Sequence, residues 1–223
     1  VAYLAVAGGF LTPPMLGSRA TYARAGLGGV GGRALAAGDR LPCLPCLPFA
    51  GSPQHAFVAA PLQHPGGPIR VIPGPQADHF TPAALASFCS EPWTLTPARD
   101  RMGLRLAGPR LVHVPGGADI VSDGVTPGAI QVPADGQPIA LMADCQTVGG
   151  YPKIATVIRA DLPRLAHLPP GAEIRFVAVD ATHAAEARAA QARLLAGWRT
   201  TLRPAARHGD IPTETLLAAN LAG

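Results

Sequence analysis

The stretch of residues 122–153 carries many polar side chains among residues typical of β-strands and glycine turns. They are Asp123, Gln131, Gln137, Asp144, Gln146, Thr147 and Tyr151. A buried polar side chain costs free energy unless it has a partner, so this density indicates a lined binding or catalytic site. The alternative is the solvent-facing side of a polar hairpin, which needs no chemistry.

Lys153 ends this stretch and is the only lysine among the 18 basic residues of the chain. A compact ammonium and a planar guanidinium are not interchangeable at a chemical site, so the exception indicates a specific role. Gly149 and Gly150 would let the backbone approach a ligand closely, and Pro152 would stiffen the turn that presents Tyr151 and Lys153.

A cluster of glycines between positions 26 and 32 offers a second candidate site. Glycine-rich loops can bind phosphate through exposed backbone amides. No Walker lysine follows this cluster, and the simpler interpretation is a tight surface loop before a hairpin that ends at Gly38 and Asp39.

Cys43 and Cys46 form a C-x-x-C motif in LPCLPCLP. Neither a second C-x-x-C nor a histidine pair follows at zinc-ligand spacing, and the flanking prolines favour an extended linker. Because the sequence shows no secretory signal, we expect free thiols, no metal site and a cytoplasmic location.

Several function classes lack their motifs. The chain has neither G-x-S-x-G nor H-E-x-x-H, and His79, which follows a PGP turn, is the best candidate among scattered histidines. The net charge of +4 would suit nucleic acid, but the arginines form no stripe and aromatic residues make up only 5%. No apolar run reaches membrane-spanning length. We therefore expect neither nucleic acid nor a membrane as a partner.

Short strands separated by Gly, Pro and Asp turns must position these residues. They are predicted at 68–72, within TLTPARDRMGLRL, RLVHV, GAIQVP and PIALMA, at 153–159 as strand or helix, and at 173–179. This spacing favours a closed or sandwich-like β architecture over a parallel sheet. Predicted helices are one capped by Thr81 with Leu85 and Phe88 facing the core, one starting near Asp161, and one capped by Asp180 or Thr182 that runs to about residue 201.

We divide the chain into four parts. They are the remainder of an N-terminal β subdomain (1–41), a Pro/Gly-rich linker (42–67), a C-terminal domain (68–203) and a loosely held tail (204–223). The opening VAYLAVAGG is a predicted strand without a preceding turn, so we expect the chain to begin within a larger protein.

The stretches IRVIPGPQADHF, RDRMGLRLAGP and PGAEIRFVAV, together with residues 122–166, resemble successive blocks of the 5-oxoprolinase C-subunit family, also known as allophanate hydrolase subunit 2. The resemblance covers nearly the whole chain apart from CLPCLP and the tail. The family's N-terminal portion, about its first third, has no counterpart here.

The resemblance implies a mainly β protein with a few helices (α+β), built as a cyclophilin-like β-barrel. The fold is homologous to part of the carboxyltransferase domain of biotin-dependent urea carboxylase. It also implies a heteromeric complex with a B-subunit-like partner (allophanate hydrolase subunit 1) and an A-subunit-like protein. With ATP and Mg²⁺, such a complex opens 5-oxoproline to glutamate.

Carried over residue by residue, the family's arginine-methionine-glycine block falls on Arg101, Met102, Gly103 and Arg105. Its central block falls on Gln131, Gln137, Asp144, Gln146, Thr147, Gly149, Gly150, Tyr151, Pro152 and Lys153. In the roles this implies, Lys153, Arg101 and Arg105 stabilise negative charge. Gln131, Gln146 and Thr147 orient an amide, and Asp144 positions magnesium or takes a proton.

Two alternatives stay open. One is carboxyl transfer to urea or a related amide, for which biotin would be the cofactor on another protein, since no biotin-accepting segment is present. The other is a regulatory protein that binds a partner which inhibits a kinase. The polar pocket favours an enzyme, because a pure binding protein does not need it.

Overall fold

A computed structural model describes residue 6 and residues 8–44, 57–58, 66–201 and 203–204 of the chain. It contains two compact units. The first comprises Val1–Val58 and Arg203–Gly223, and the second comprises Ala59–Leu202. The predicted C-terminal domain has the boundaries 68 and 203, and the second unit has the boundaries 59 and 202.

The strands of the described residues are β1 (Phe57–Val58), β2 (Ile69–Pro73), β3 (Trp93–Arg99), β4 (Gly103–Ala107), β5 (Asp123–Gly124), β6 (Ala129–Gln131), β7 (Ile139–Leu141), β8 (Val148–Gly149), β9 (Lys153–Val157), β10 (Glu173–Ile174), β11 (Phe176–Ala178) and β12 (Arg203–Pro204). In the first unit β1 pairs antiparallel with β12. In the second unit the sheet order is β10-β3-β4-β7-β6-β9-β2-β11, and a separate ribbon joins β5 to β8. Only β11 and β2 are paired parallel in the large sheet.

The two edges of the large sheet belong to one piece of chain. β10 pairs with β3 and β11 pairs with β2, while Arg175 alone separates β10 from β11. The single strand predicted at 173–179 is therefore wrong in one respect, because the segment changes partner at Arg175, whose carbonyl accepts a hydrogen bond from the Ile69 amide at 2.8 Å. This switch nearly closes the sheet into a barrel. The predicted fold class, mainly β with a few helices in a barrel architecture, is confirmed.

The barrel encloses an apolar core centred on three aromatic rings. The Phe88 ring stacks on Phe176 at a centroid distance of 4.6 Å and lies 6.1 Å from the Trp93 ring. The indole of Trp93 donates to the Phe88 carbonyl at 3.0 Å, so the polar atom of this fully buried side chain is satisfied.

Register decides which side chains face that core. Leu104, Ala140, Ile130 and Ala155 are paired in turn across four strands and are almost completely buried. The next pairs form what we call the outer row, which consists of Arg105, Ile139, Gln131 and Lys153. Because successive residues of a strand point to opposite faces, Arg105, Ile139 and Gln131 lie on the face away from the core. A register shift between β6 and β9 then aligns Lys153, rather than Ile154, with Gln131.

Helix α1 (Pro82–Ser90) begins as the sequence predicts. The Thr81 hydroxyl accepts from the Ala84 amide at 3.2 Å, and a proline occupies the first turn. Phe88 is buried and Leu85 packs against the core, which confirms the predicted inner face.

Helix α2 (Leu162–His167) lies between β9 and β10, and helix α3 (Ala181–Arg199) follows β11. Asp180, rather than Thr182, caps α3 by accepting from the His183 amide at 2.8 Å. Asp161 precedes α2, but its side chain does not cap that helix, because its carboxylate accepts hydrogen bonds from Arg70 instead. The segment at 153–159, predicted as strand or helix, is the strand β9. Within the described part of the chain, no helix is both long and apolar enough to cross a membrane.

The strand predicted at RLVHV is wrong. Its backbone groups are shared among separate segments instead of pairing with one strand: the Leu111 amide donates to Gly136, and the Val114 amide donates to His79. Only His113 forms a bridge, to Phe80. The segment is therefore an irregular connection.

The glycine-rich segment of the first unit consists of consecutive turns after a 3₁₀ turn at Ala23–Ala25. It resembles the expected surface loop rather than a loop that leads into a helix. Most of the predicted first strand, most of the linker at 42–67 including Cys46, and the tail beyond Pro204 lie outside the described residues.

Candidate functional site

Lys153 lies at the start of β9 with its ammonium almost completely buried. Its Nζ donates to the Asp123 Oδ2 at 2.7 Å, and the side chains of Lys153 and Asp123 are 6% and 54% exposed. The hydrogen bond from Lys153, followed by one from the Gly124 backbone amide, holds the pKa of Asp123 below its usual value. The ammonium is thus bonded to a carboxylate whose side chain is itself half exposed.

Gln76 joins both members of this pair. Its Oε1 accepts from the backbone amide of Lys153 at 3.1 Å, and its Nε2 donates to Asp123 Oδ2 at 3.3 Å. Gln76 leads into a 3₁₀ turn at Ala77–His79 that follows β2. The three residues form one hydrogen-bonded cluster.

The ribbon of β5 and β8 holds the carboxylate in place. Asp123 is paired with Gly149 in this ribbon. The ribbon is extended by hydrogen bonds from the Ile120 amide to Gly150 and from the Val125 amide to Thr147, at 2.9 and 3.0 Å. Gln131 and Lys153 of the outer row are buried, and Gly149 of this ribbon lies against the Gln131 amide.

Two glutamine amides meet at Gly149. A Cβ atom there would lie 2.5 Å from Gln131 Nε2 and 3.4 Å from Gln146 Nε2. Gln131 is 2% exposed and its Nε2 donates to the Tyr151 carbonyl at 3.4 Å. A β-bulge between β6 and β9 at this point aligns Gln131 directly with Lys153. The glycine is therefore required for the two amides to converge.

Arg101 and Asp144 form a second ion pair, separate from the pair of Lys153 and Asp123. Arg101 donates to both oxygens of Asp144, at 2.5 and 2.9 Å. The Arg101 guanidinium lowers the pKa of Asp144, so this carboxylate is a weaker proton acceptor than an ordinary aspartate. Arg101 is 78% exposed and can reach a ligand from solvent.

Other predicted site residues lie apart from the cluster. Gln137 bonds the backbone of Gly108 with both ends of its amide, at 3.1 and 3.2 Å, and extends the pairing of β4 with β7. Arg105 is exposed at the far end of the outer row. Thr147 and Tyr151 are exposed beside the ribbon, where Thr147 contributes its backbone carbonyl and Tyr151 accepts from Gln131.

Histidine and cysteine chemistry finds no support in the described residues. The Nδ1 of His79 pairs with the Gly117 carbonyl at 3.0 Å, which is a structural contact. Cys43, Cys89 and Cys145 are free thiols. Among the residues described, no group of three His, Cys, Asp or Glu side chains could hold a metal ion.

Sequence reasoning missed Gln76 and Asp123 as site residues. Asp123 was one of the polar residues of the stretch, and the signal that could have singled it out is its opposite charge to the only lysine. Gln76 lies 77 residues from Lys153 and had no local signal beyond its place in PGPQ.

The cluster can recognise an amide. Lys153 offers further N–H donors and Asp123 further acceptor capacity, side by side at 2.7 Å. A ring amide presents its carbonyl and its N–H on the same edge, and such an edge is complementary to an adjacent donor and acceptor.

Comparison with known proteins agrees with this fold. The family model described as carboxyltransferase domain, subdomain A and B, matches residues 1–178. The 5-oxoprolinase C-subunit of Escherichia coli (strain K12) is 42% identical over 193 residues, which cover 86% of this chain and 60% of that protein. The C-subunit of Haemophilus influenzae (strain ATCC 51907 / DSM 11121 / KW20 / Rd) is 40% identical over 83% of this chain and 58% of its own length. The chain thus spans less than two thirds of these curated relatives.

A solved structure supports the architecture independently. The crystal structure of the K. lactis urea amidolyase superposes with a TM-score of 0.68 at 26% identity, and the match covers 86% of this chain and 13% of that one. The family resemblance inferred from the sequence blocks is confirmed.

Proposed function

The chain belongs to the carboxyltransferase domain family, subdomains A and B, and on that premise we propose that it is part of a 5-oxoprolinase C-subunit. In this proposal a complex with partner subunits opens 5-oxoproline to glutamate at the expense of ATP. The identity to two proteins of that name supports the assignment.

One observation carries the proposal: the buried Lys153 ammonium lies beside the Asp123 carboxylate at 2.7 Å. The pair carries no net charge, so it suits a neutral amide better than a free cation would. 5-Oxoproline is a lactam, whose carbonyl can accept from Lys153 while its N–H donates to Asp123. This assigns both groups to the substrate amide.

The neighbouring amides extend this contact surface. Gln131 and Gln146 converge at Gly149 and can orient a small polar substrate by hydrogen bonds. Arg101, exposed beside Asp144, is suited to the carboxylate of such a substrate. In this arrangement Lys153 would stabilise negative charge as it develops on the amide oxygen.

The described residues do not fit a magnesium site. Both carboxylates are held by cations, Asp123 by Lys153 and Asp144 by Arg101, and neither belongs to a group of three acidic, histidine or cysteine side chains in the described ranges. The glycine-rich segment does not lead into a helix that could bind phosphate. We therefore assign ATP and Mg²⁺ to the A-subunit-like or B-subunit-like partners, in a cytoplasmic complex.

Carboxyl transfer to urea or a related amide is the second candidate. The structural likeness to the K. lactis urea amidolyase favours it, and urea also presents a carbonyl and an N–H on one edge. In that case carboxybiotin would arrive on another protein, and no residue described here is assigned to it.

The test is turnover by the full-length protein mixed with its A-subunit-like and B-subunit-like partners, with ADP and glutamate measured with and without 5-oxoproline. Lys153→Met removes the ammonium and should lower 5-oxoproline-dependent turnover by about 100-fold or more. Its circular dichroism spectrum should match that of the wild type, because Asp123 remains half exposed to water.

Arg33→Met is the matched control, since it removes a cation from an exposed ion pair with Asp39 in the first unit. It should leave turnover unchanged. Wild-type turnover by Lys153→Met would disprove the site assignment. Turnover that depends on urea and carboxybiotin instead of 5-oxoproline would favour the second candidate.

A further inference from the structure

Gln76 makes two contacts whose combination no other described glutamine shares. Its carbonyl oxygen holds the main chain of Lys153, and its amide nitrogen holds the carboxylate to which the Lys153 ammonium is bonded. One side chain thus sets the position of Lys153 at the backbone and the position of Asp123 at the carboxylate. Gln76 itself is partly buried.

The backbone that carries Gln76 is closely packed against β9. A Cβ atom at Gly74 would lie 2.0 Å from the Lys153 carbonyl oxygen, and the Gly74 amide donates to Ile154 at 2.9 Å. On the other side, the His79 amide donates to the Gln76 carbonyl at 3.1 Å and the His79 ring bonds Gly117. Gln76 is therefore presented from a segment fixed at both ends.

We propose that Gln76 is a positioning residue, which holds the carboxylate of Asp123 against the ammonium of Lys153 in the geometry that receives the substrate amide. This inference rests on the proposed function for its catalytic meaning. The contact between Gln76 and Asp123 can be tested without that function.

Gln76→Glu is the sharpest variant because it keeps the shape and the oxygen that accepts from Lys153. It replaces the donor facing Asp123 with a second carboxylate. Lys153 on β9 is the charged group that faces Asp123, and its other polar neighbours are the amides of Gln76 and Gly124. Two carboxylates at this distance cannot both ionise freely, so the pKa of Asp123 should rise by about one unit or more.

The first measurement is a carbon-detected NMR titration of the Asp123 carboxyl in the full chain. The second is turnover of the assembled complex across pH. At pH 8 the Gln76→Glu complex should be slower than the wild type by about 10-fold or more. Its rate relative to the wild type should recover as the pH falls, since a shared proton restores the hydrogen bond.

Gln191→Glu is the matched control, because it makes the same change of side chain on α3. There the Gln191 side chain donates to the Ala160 carbonyl at 3.1 Å. It should change neither the Asp123 titration nor the ratio of rates across pH. An Asp123 titration unaffected by Gln76→Glu would overturn the proposal, as would a rate ratio that does not vary with pH. If the wild-type complex shows no 5-oxoproline-dependent turnover, the proposed function fails, and the titration alone decides whether Gln76 holds Asp123.

Discussion

At the scale of single residues, the unexpected feature is that the only lysine does not act as an isolated cation. A buried ammonium without a counter-charge would be costly, and Asp123 supplies that charge from the ribbon. The consequence is a paired donor and acceptor instead of an anion site. The exposed pair of Arg101 and Asp144 differs, since ion pairs in water contribute little to stability.

Gly149→Ala tests whether the convergence of the two glutamine amides matters. The backbone at Gly149 does not require positive φ, so alanine is compatible with its conformation. The new methyl group would lie 2.5 Å from Gln131 Nε2 and must displace that buried amide. We expect the free energy of unfolding to fall by about 1–3 kcal/mol, while turnover of the complex falls by about 10-fold. Urea denaturation and the glutamate assay measure the two effects.

Gly197→Ala provides the comparison, because a Cβ atom there meets nothing within 4 Å. It should not alter turnover. If Gly149→Ala retained the wild-type rate, Gln131 and Gln146 would have no part in binding the substrate.

At the scale of elements, the helices differ in how far they are tied to the core. Helix α1 is short, yet it places Phe88 between Trp93 and Phe176. Helix α3 extends over 19 residues but buries only Ala187 among its side chains. Most helical stability comes from packing of one face, so α1 should unfold together with the barrel while α3 can open by itself.

Removing each N-cap should reveal this difference. Thr81→Ala deletes the bond to the Ala84 amide and should lower the free energy of unfolding of the barrel by about 1 kcal/mol. Asp180→Ala deletes the equivalent bond to the His183 amide, but it should mainly speed amide exchange within α3. Trp198 lies on α3, so both substitutions are made in a Trp198→Phe background that leaves Trp93 as the single tryptophan. Urea denaturation followed by Trp93 fluorescence, together with hydrogen exchange, then separates the two outcomes. Equal losses of global stability would show that α3 unfolds cooperatively with the barrel.

At the scale of the whole second unit, one ion pair joins segments that are distant in sequence. Asp161 accepts from the Arg70 backbone amide at 2.8 Å and from its guanidinium at 2.7 and 3.0 Å. Burial alone would raise the pKa of Asp161, but the hydrogen bonds from Arg70 outweigh it and lower the pKa. The pair therefore links β2, the strand that pairs with β11, to the residue that precedes α2.

This pair makes the unit sensitive to acid. Because the pKa of Asp161 is lower in the folded chain than its unfolded value of about 3.9, its contribution is present above that pH and is lost as the pH falls through the folded pKa. Asp161→Asn removes this ionisation. Denaturation midpoints measured between about pH 5 and pH 2 should therefore fall less steeply for the variant than for the wild type. Parallel pH profiles would show that another group dominates acid unfolding.

The sequence by itself determined the features that depend on near neighbours. Short strand-like stretches between Gly, Pro and Asp turns predicted most of the barrel strands. Thr81 was predicted as a cap, the cap of α3 was narrowed to Asp180 or Thr182, and the polar stretch indicated where the candidate site lies. Only the tertiary structure decided which partners meet. It joined Lys153 to Asp123 and Gln76, used Gln137 as a structural bridge to Gly108, and switched strand partners at Arg175. Such choices depend on register and packing between segments far apart in the chain, and no local pattern encodes them.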